Sequence, residues 1–396
     1  MEENLANKER LPDAALMTLY RRWAKGGAGL LISGNVMVDP RAMTGPADVV
    51  LDEHQPLAPF RQWASAMRSE GAQAWLQLSH PGRQVYAALG KPAVAPSAVP
   101  LDLGKFSTMF APPRELVPGE IPAIIQRFAT AASLAEKAGF TGVQIHAAHG
   151  YLVSQFLSPR TNLRNDTWGG SPAHRARFLL EIVRAIRATV SPGFCVAVKL
   201  NSTDFQHGGF ELADAAQVIR WLNDLPIDLV ELSGGSYENP MAVEVTKAES
   251  TLRREAYFLD FARTVAAEAR MPLMVTGGIY DVPVARDVLR STASGSGVAM
   301  VGMATALAFL PDLPRRWIAG EVVKPELPSV HWRNRSLAAI ATAAITKSQI
   351  VRLAKGKAAR RTSWPSAAIL ADWLRTKRQI RQYVRWMHER LRLEEL

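Results

Sequence analysis

The segment between residues 142 and 178 carries the side chains best suited to chemistry. His146, His149 and Tyr151 follow directly after the apolar run at 142–145, which predicts a buried strand. Two imidazoles and a phenol on one loop form a compact set of hydrogen-bond donors. Such a set can polarise a carbonyl group and deliver a proton to a carbon atom. The alternative for Tyr151 is that its ring only packs at the rim of the fold.

Other residues with chemical potential lie at the ends of other apolar runs. Lys199 lies within VAVKLN, and a lysine among apolar neighbours is rarely a plain core residue. Gly277 and Gly278 follow another run, where backbone N–H groups could approach an anion closely. A tight turn without a ligand is the alternative for this glycine pair.

The elements that must position these residues alternate between strands and helices. Helical patterns lie before residue 26, around 61–69 and after the N-cap candidate Ser171. Such alternation is typical of an α/β fold with a parallel sheet. The interval 83–120, rich in Pro and Ala, predicts an extended loop over one end of that sheet. The predicted strands are residues 29–38, 72–79, 142–146, 195–201, 229–233, 272–276 and 297–301.

The motifs resemble one known family when they are taken in order. The sequences are IHAAHGYL, QFLSP, the N-x-R-x-D run at 162–166 and GGSPAHRARF, with QLSHPGR beginning at Gln77 and TGGI at Thr276. They resemble the old yellow enzyme family of FMN-dependent ene-reductases over roughly residues 1–325. The resemblance implies a TIM (β/α)8 barrel over 1–325, followed by a basic helical C-terminal extension over 326–396.

The first strand of such a barrel is not recognisable. The start Met1-Glu2-Glu3-Asn4 is similar to the residues that follow that strand in the family. Either the reading frame begins further upstream or the gene product lacks the strand, and we favour the upstream start.

The resemblance also implies roles for individual residues. His146 and His149 would bind the carbonyl oxygen of an enone or enoate, and Tyr151 would protonate the α-carbon. NADPH or NADH would supply the reducing equivalents through FMN. The expected FMN-binding residues are Gln77, Lys199, Gly277, Gly278, Ala304 and Thr305. Many relatives have Gly-Arg at 304–305, and loss of that charged phosphate contact costs about 1.5–3 kcal/mol.

Composition excludes several other classes of protein. The net charge of +11 belongs to residues 331–396, so the rest of the chain is neutral overall. The single cysteine, Cys195, excludes a disulfide framework and a cysteine-ligated cluster, and we expect no metal site. The N-terminus does not have the pattern of a signal peptide. No apolar run reaches the roughly 18 residues of a membrane helix, so we expect a cytoplasmic protein.

The basic C-terminal region predicts an amphipathic helix from about residue 367. We expect it to pack on the barrel or on a second subunit of a homo-oligomer. Binding to an anionic membrane surface is the less favoured alternative, and nucleic acid binding is less favoured still because no motif accompanies the charge.

The sequence therefore predicts an NAD(P)H-driven, FMN-dependent oxidoreductase that reduces activated C=C bonds. The alternative is a non-catalytic barrel that has lost FMN and acts as a binding or scaffold protein.

Overall fold

A parallel sheet surrounded by helices forms the body of the protein. The computed structural model describes residues 2–235, 238, 261–290, 297–360 and 364–394. Met1 and Arg361, which enter the predictions for the N-terminus and the basic stretch, lie outside these residues.

The strands confirm each of those predicted from the apolar runs, with small shifts at their ends. The largest shift is in the last strand, which begins at Met300 rather than at residue 297. In chain order the strands are β1 Leu30–Met37, β2 Val49–Val50, β3 Gln73–Ser79, β4 Ala93–Ala95, β5 Pro113–Glu115, β6 Gly142–Ala147, β7 Cys195–Asn201, β8 Leu229–Ser233, β9 Leu273–Thr276 and β10 Met300–Gly302.

The main sheet has eight strands in the order β10-β9-β8-β7-β6-β3-β1-β2, and all neighbours are parallel. It curls into the TIM-barrel architecture expected from the motifs. The two-residue strand β2 was not predicted; it pairs with Val36 and Met37 at the carboxyl end of β1.

Helices cover the outer face of the sheet. The helix predicted after the N-cap candidate Ser171 begins at Pro172, and Ser171 Oγ accepts from the His174 N–H. The helices are α1 Ala14–Lys25, α2 Ala58–Arg68, α3 Glu120–Lys137, α4 Leu152–Leu157, α5 Pro172–Arg187, α6 Leu212–Leu222, α7 Val282–Val288, α8 Thr305–Phe309, α9 Leu313–Ile318, α10 Arg335–Ala354 and α11 Pro365–Glu394.

The segment predicted as a long loop over the barrel mouth contains structure of its own. Strands β4 and β5 pair in parallel within it, and two short 3-10 helices accompany them. Arg164 fixes this segment, because its guanidinium donates to the carbonyl oxygens of Pro96 and Leu116 and pairs with Asp166 at 2.5 Å. Arg164 and Asp166 therefore hold this segment in place.

The C-terminal extension is helical, as predicted, and α11 docks on the barrel. Tyr383 and Met387 are fully buried in a cluster with Met37 and Val85. The Tyr383 hydroxyl donates to the Pro40 carbonyl oxygen at 2.9 Å. The predicted packing of an amphipathic helix on the barrel is therefore confirmed.

One expectation about apolar runs needs correction. Within α10, Leu337–Ala354 is long and apolar enough to cross a membrane, with a mean hydropathy of 1.2. Buried residues of this helix, including Ile350 and Leu353, belong to the main core of the protein. Because the core helix of a globular protein passes the same test, the finding is weak evidence for a membrane span.

Candidate active site

Side chains that point into the barrel lie in layers, because alternate residues of a strand face the same side. Near the amino ends, Trp75, Ala197, Leu229 and Met274 form an apolar cluster. Two residues further along their strands, polar groups replace the apolar ones. This second layer contains Gln77, Gln144, Lys199, Glu231 and Thr276, and the next layer contains His146, Asn201 and Ser233.

The predicted His146–His149–Tyr151 set comes together at the carboxyl end of β6. The rings of His146 and Tyr151 meet edge to face with centroids 4.6 Å apart, and those of His146 and His149 lie 5.1 Å apart. The backbone turns sharply here, since His149 has φ of 59° and Gly150 has φ of 75°. The His149 N–H donates to Asn201 Oδ1 at 3.2 Å, which ties the turn to β7.

Hydrogen bonds fix which ring nitrogens carry protons. The Ala148 N–H donates to Nδ1 of His146 at 3.3 Å, so neutral His146 carries its proton on Nε2. That nitrogen lies 3.3 Å from Nδ1 of His149, which acts as the acceptor. His149 then carries its proton on Nε2, 2.8 Å from the hydroxyl oxygen of Ser233. Both donors thus have partners within the site, and a ligand carbonyl would have to replace at least one of them.

The environment keeps both imidazoles neutral. Burial lowers the pKa of His146 well below its ordinary value, and a proton on His149 or the ammonium of Lys199 would lower it further. Burial and the Lys199 ammonium likewise hold the pKa of His149 well below its usual range. At neutral pH the pair therefore offers neutral N–H donors and holds no proton that it could release as an acid.

Tyr151 is buried, and its hydroxyl has identified partners. The ring is 4% exposed. The hydroxyl donates to Glu2 Oε1 at 2.9 Å, and Asn35 Nδ2 lies 3.4 Å from the phenolic oxygen. Asn35 and Glu2 were not predicted as site residues.

Lys199 is part of a buried chain of polar side chains. Its ammonium pairs with Glu231 Oε1 at 2.5 Å. Gln144 donates to Glu231 Oε2 at 2.7 Å, and Gln77 donates to Gln144 Oε1 at 2.7 Å. Burial alone would raise the pKa of Glu231, but Lys199 and these hydrogen bonds hold it below its ordinary value. This chain of hydrogen-bonded side chains thus contains a charged carboxylate, that of Glu231.

The four predicted phosphate-site residues lie on two adjacent loops. Strands β9 and β10 are neighbours, with Gly302 opposite Thr276, so the loops after them meet at the carboxyl edge of the sheet. Gly277 and Gly278 have φ of 131° and 67°, which side chains rarely adopt. A Cβ at Gly277 would meet no atom of the described residues within 4 Å, so the backbone faces open space among them. The second loop carries the other predicted residues, Ala304 and Thr305.

Sequence reasoning missed Glu231 and Gln144, although a signal for both was present. Each is a polar residue inside an apolar strand, LVELS and GVQIH, as Lys199 is in VAVKLN. The argument that selected Lys199 applies equally to them. Their mutual contacts depend on the register between β6, β7 and β8, which the sequence does not reveal.

Comparison with known proteins identifies the family of this barrel. The sequence profile of the NADH:flavin oxidoreductase / NADH oxidase family matches residues 4–321. The chain belongs to this family. It is thus a flavin-dependent oxidoreductase of the old yellow enzyme type, with FMN as cofactor and reduced nicotinamide as reductant.

Curated relatives cover much of the chain. It is 36% identical over 345 residues to the NADH-dependent flavin oxidoreductase iliE of Hypocrea jecorina. The matched region covers 82% of this chain and 85% of the relative. The chain is 37% identical over 337 residues to iliE of Neonectria sp., covering 79% of this chain. The chain spans 43% of that Neonectria protein.

Solved structures agree with the family assignment. Morphinone reductase superposes with a TM-score of 0.66 at 25% identity over 83% of this chain and 86% of its own. A 2-naphthoyl-CoA reductase in complex with 2-naphthoyl-CoA gives a TM-score of 0.72 at 27% identity, covering 83% of this chain and 49% of that one.

The residues present fit FMN. Gln77 is 3% exposed, and its Oε1 has no hydrogen-bond partner among the described residues. A buried acceptor without a partner is costly, so a ligand N–H at this point would be stabilising. Lys199 supplies a cation on the neighbouring wall, and the open backbone at Gly277 suits an anion.

Proposed function

We propose that the protein is an ene-reductase that reduces the activated C=C bond of an enone or enoate, with NADH or NADPH as the electron source. One observation carries the proposal. Two neutral imidazoles and a buried phenol lie together at the same end of the barrel as Gln77 and Lys199. Neutral donors beside a buried proton source suit a substrate whose carbonyl oxygen becomes negative during reduction.

His146 and His149 would bind the carbonyl oxygen. Their N–H groups are polarisable donors in a water-poor site, so they stabilise charge on oxygen more strongly as it develops. Each ring donates from Nε2, so binding by both rings requires the carbonyl oxygen to replace the 3.3 Å contact between the rings and the 2.8 Å contact to Ser233. This use of the rings requires them to stay neutral, in keeping with their lowered pKa values.

Tyr151 would supply the proton. When bound, FMN supplies the hydride, which it receives from the reduced nicotinamide. Tyr151 would transfer its hydroxyl proton to the α-carbon of the substrate, and its low exposure keeps water from competing. Asn35 holds the phenolic oxygen from the side of β1. The phosphate of FMN would meet the loops of Gly277–Gly278 and Ala304–Thr305.

The partner of this site is accordingly a small molecule. We also propose a cytoplasmic location, because reduced nicotinamide, its reductant, is supplied there.

The test follows the two halves of the reaction separately. The protein is loaded with FMN and mixed anaerobically with NADH or NADPH, and the flavin absorbance is expected to bleach. Adding 2-cyclohexenone should restore the absorbance, whereas saturated cyclohexanone should not. A protein that binds no FMN, or whose reduced flavin ignores the enone, would contradict the proposal and favour the scaffold alternative.

A further inference from the structure

The chain of four buried polar side chains has a defined direction, which its charged member imposes. An ionised carboxylate only accepts hydrogen bonds. Glu231 uses one oxygen for the Lys199 ammonium at 2.5 Å and the other for Gln144 at 2.7 Å. Gln144 must therefore present its NH2 group to Glu231.

That orientation passes along the chain to Gln77. With its NH2 directed at Glu231, Gln144 turns its carbonyl oxygen to Gln77, which must donate in return, at 2.7 Å. Gln77 is then left with its carbonyl oxygen as the free end. This oxygen has no hydrogen-bond partner among the described residues. The Glu231 carboxylate on β8 thus determines which way the Gln77 amide on β3 is turned. Strands β7 and β6 lie between these two strands in the sheet.

We infer that Glu231 and Gln144 are positioning residues that hold the Gln77 amide with its carbonyl oxygen toward the cofactor, where it accepts a hydrogen bond from the ring imide N–H of FMN. The inference rests on the FMN binding of the proposed function but does not depend on which alkene is reduced. The isoalloxazine ring has one imide N–H between two carbonyl oxygens. If the Gln77 amide were turned the other way, its NH2 group would face the flavin N–H, and two donors would meet. The buried carbonyl oxygen of Gln144 would then lose its donor.

Two variants separate the effect of the amide orientation from the effect of the Glu231 charge. Gln144→Leu interrupts the chain between Glu231 and Gln77 but leaves the Lys199–Glu231 ion pair intact. Glu231→Gln removes the charge and allows both amides to turn, because a glutamine there can donate as well as accept. Asp214→Asn is the matched control: it removes a partly buried acid that pairs with Arg175 at 3.4 Å on the outer helices.

The readout is the imide N–H of bound FMN, labelled with the NMR-active nitrogen isotope. In the unaltered protein the signal should lie downfield and exchange slowly with solvent, as a hydrogen-bonded N–H does. In Gln144→Leu and Glu231→Gln the N–H signal should move upfield and exchange at least about tenfold faster. FMN should also bind about tenfold more weakly, which is the loss expected for one buried hydrogen bond. Asp214→Asn should change neither quantity.

The outcomes distinguish this inference from the function it rests on. If the unaltered protein binds no FMN, the proposed function fails as well. If it binds FMN and Gln144→Leu leaves the N–H signal and the affinity unchanged, only the positioning role is wrong. Should Glu231→Gln not fold, Gln144→Leu decides alone, since it removes no charge.

Discussion

At the level of single residues, burial decides which groups in the site can give up a proton. The site histidines are held neutral, and His80 beneath the mouth has its pKa lowered by burial to about 3. Tyr151 is the buried phenol beside them. A division of labour follows, in which the imidazoles bind the substrate and the phenol protonates it.

Tyr151→Phe tests this division. Without the hydroxyl, the flavin should still bind and still be reduced by NAD(P)H, while its reoxidation by 2-cyclohexenone slows by roughly 10²–10⁴-fold. Stopped-flow spectroscopy of the two half-reactions measures both rates. Asn35→Ala is the control, because it removes a contact to the Tyr151 oxygen but leaves the hydroxyl proton in place. It should slow reoxidation far less. Unchanged reoxidation in Tyr151→Phe would remove this residue from the mechanism.

The neutral histidines also predict how stability depends on pH. In the unfolded chain a histidine takes up a proton near its reference pKa of about 6.5. His80, His146 and His149 resist protonation in the folded state, so the unfolded state binds more protons below that pH. The free energy of unfolding should fall between about pH 6.5 and 5, by up to about 1.4 kcal/mol per pH unit for each buried histidine.

Urea denaturation at several pH values measures this loss. His54→Gln, an exposed histidine, is the control and should leave the slope unchanged. Replacing His80 by Gln should reduce the slope. Equal stability at pH 7 and pH 5 would show that these rings are not held neutral.

At the level of elements, the sequence predicted the strands well because parallel strands buried on both faces are apolar along their length. It also predicted the start of α5, since Ser171 followed by Pro172 is a strong local signal. It did not predict β2, because two residues carry no periodicity. The pairing of β4 with β5 depends on contacts between distant residues, for which the loop composition gives no pattern.

The candidate site was predictable only in part, for the same reason. His146, His149 and Tyr151 are close in sequence, so their proximity follows from one loop. Glu231 lies 32 residues from Lys199 and meets it only through the register of β7 with β8. Periodicity indicates that a polar residue faces inward, but not which neighbour it will meet.

Arg164 provides the element-level prediction. Its side chain is 3% exposed and joins the loop after α4 to the segment that covers the barrel mouth. Arg164→Met should destabilise the protein by about 3–5 kcal/mol, because it leaves Asp166 and two carbonyl oxygens without their donor. Arg184→Met, which removes an exposed helix pair with Glu181, should cost less than about 1 kcal/mol. Chemical denaturation of both variants measures the difference, and equal losses would show that Arg164 is not a structural anchor.

At the level of the whole molecule, the barrel and the basic extension are joined by α11. Gln379 donates to the Asn4 carbonyl oxygen, and Arg390 pairs with Asp52 at 2.7 Å. The outward face of α11 exposes Trp373 and several cations, but most of the net charge of the extension lies before this helix, in residues 331–364. The extension therefore supports loops at the mouth of the barrel, while the expected FMN residues lie on β3, on β7 and on the loops after β9 and β10.

Deleting residues 329–396 should change the oligomeric mass or the solubility of the protein but not its flavin chemistry. We also expect a lower unfolding temperature, since Met37 and Val85 lose the cover of Tyr383. Tyr383→Ala should reproduce part of that loss, whereas Trp373→Ala, at a half-exposed position, should not. Light scattering measures the oligomeric mass, thermal denaturation measures the unfolding temperature, and the flavin spectrum follows the flavin chemistry. Salt-dependent sedimentation of the full chain with anionic liposomes, lost on deletion, would instead favour a membrane-binding role for the extension.

The most direct test of the central claim is the position of hydrogen isotopes in the product. The FMN-loaded protein is given 2-cyclohexenone and reduced nicotinamide that carries deuterium at both positions of its reactive carbon, in ordinary water; the complementary experiment uses unlabelled nicotinamide in heavy water. We predict deuterium on the β-carbon in the first experiment and on the α-carbon in the second, as NMR of the cyclohexanone would show. Deuterium from nicotinamide at the α-carbon, or turnover of nicotinamide without any saturated product, would contradict this prediction.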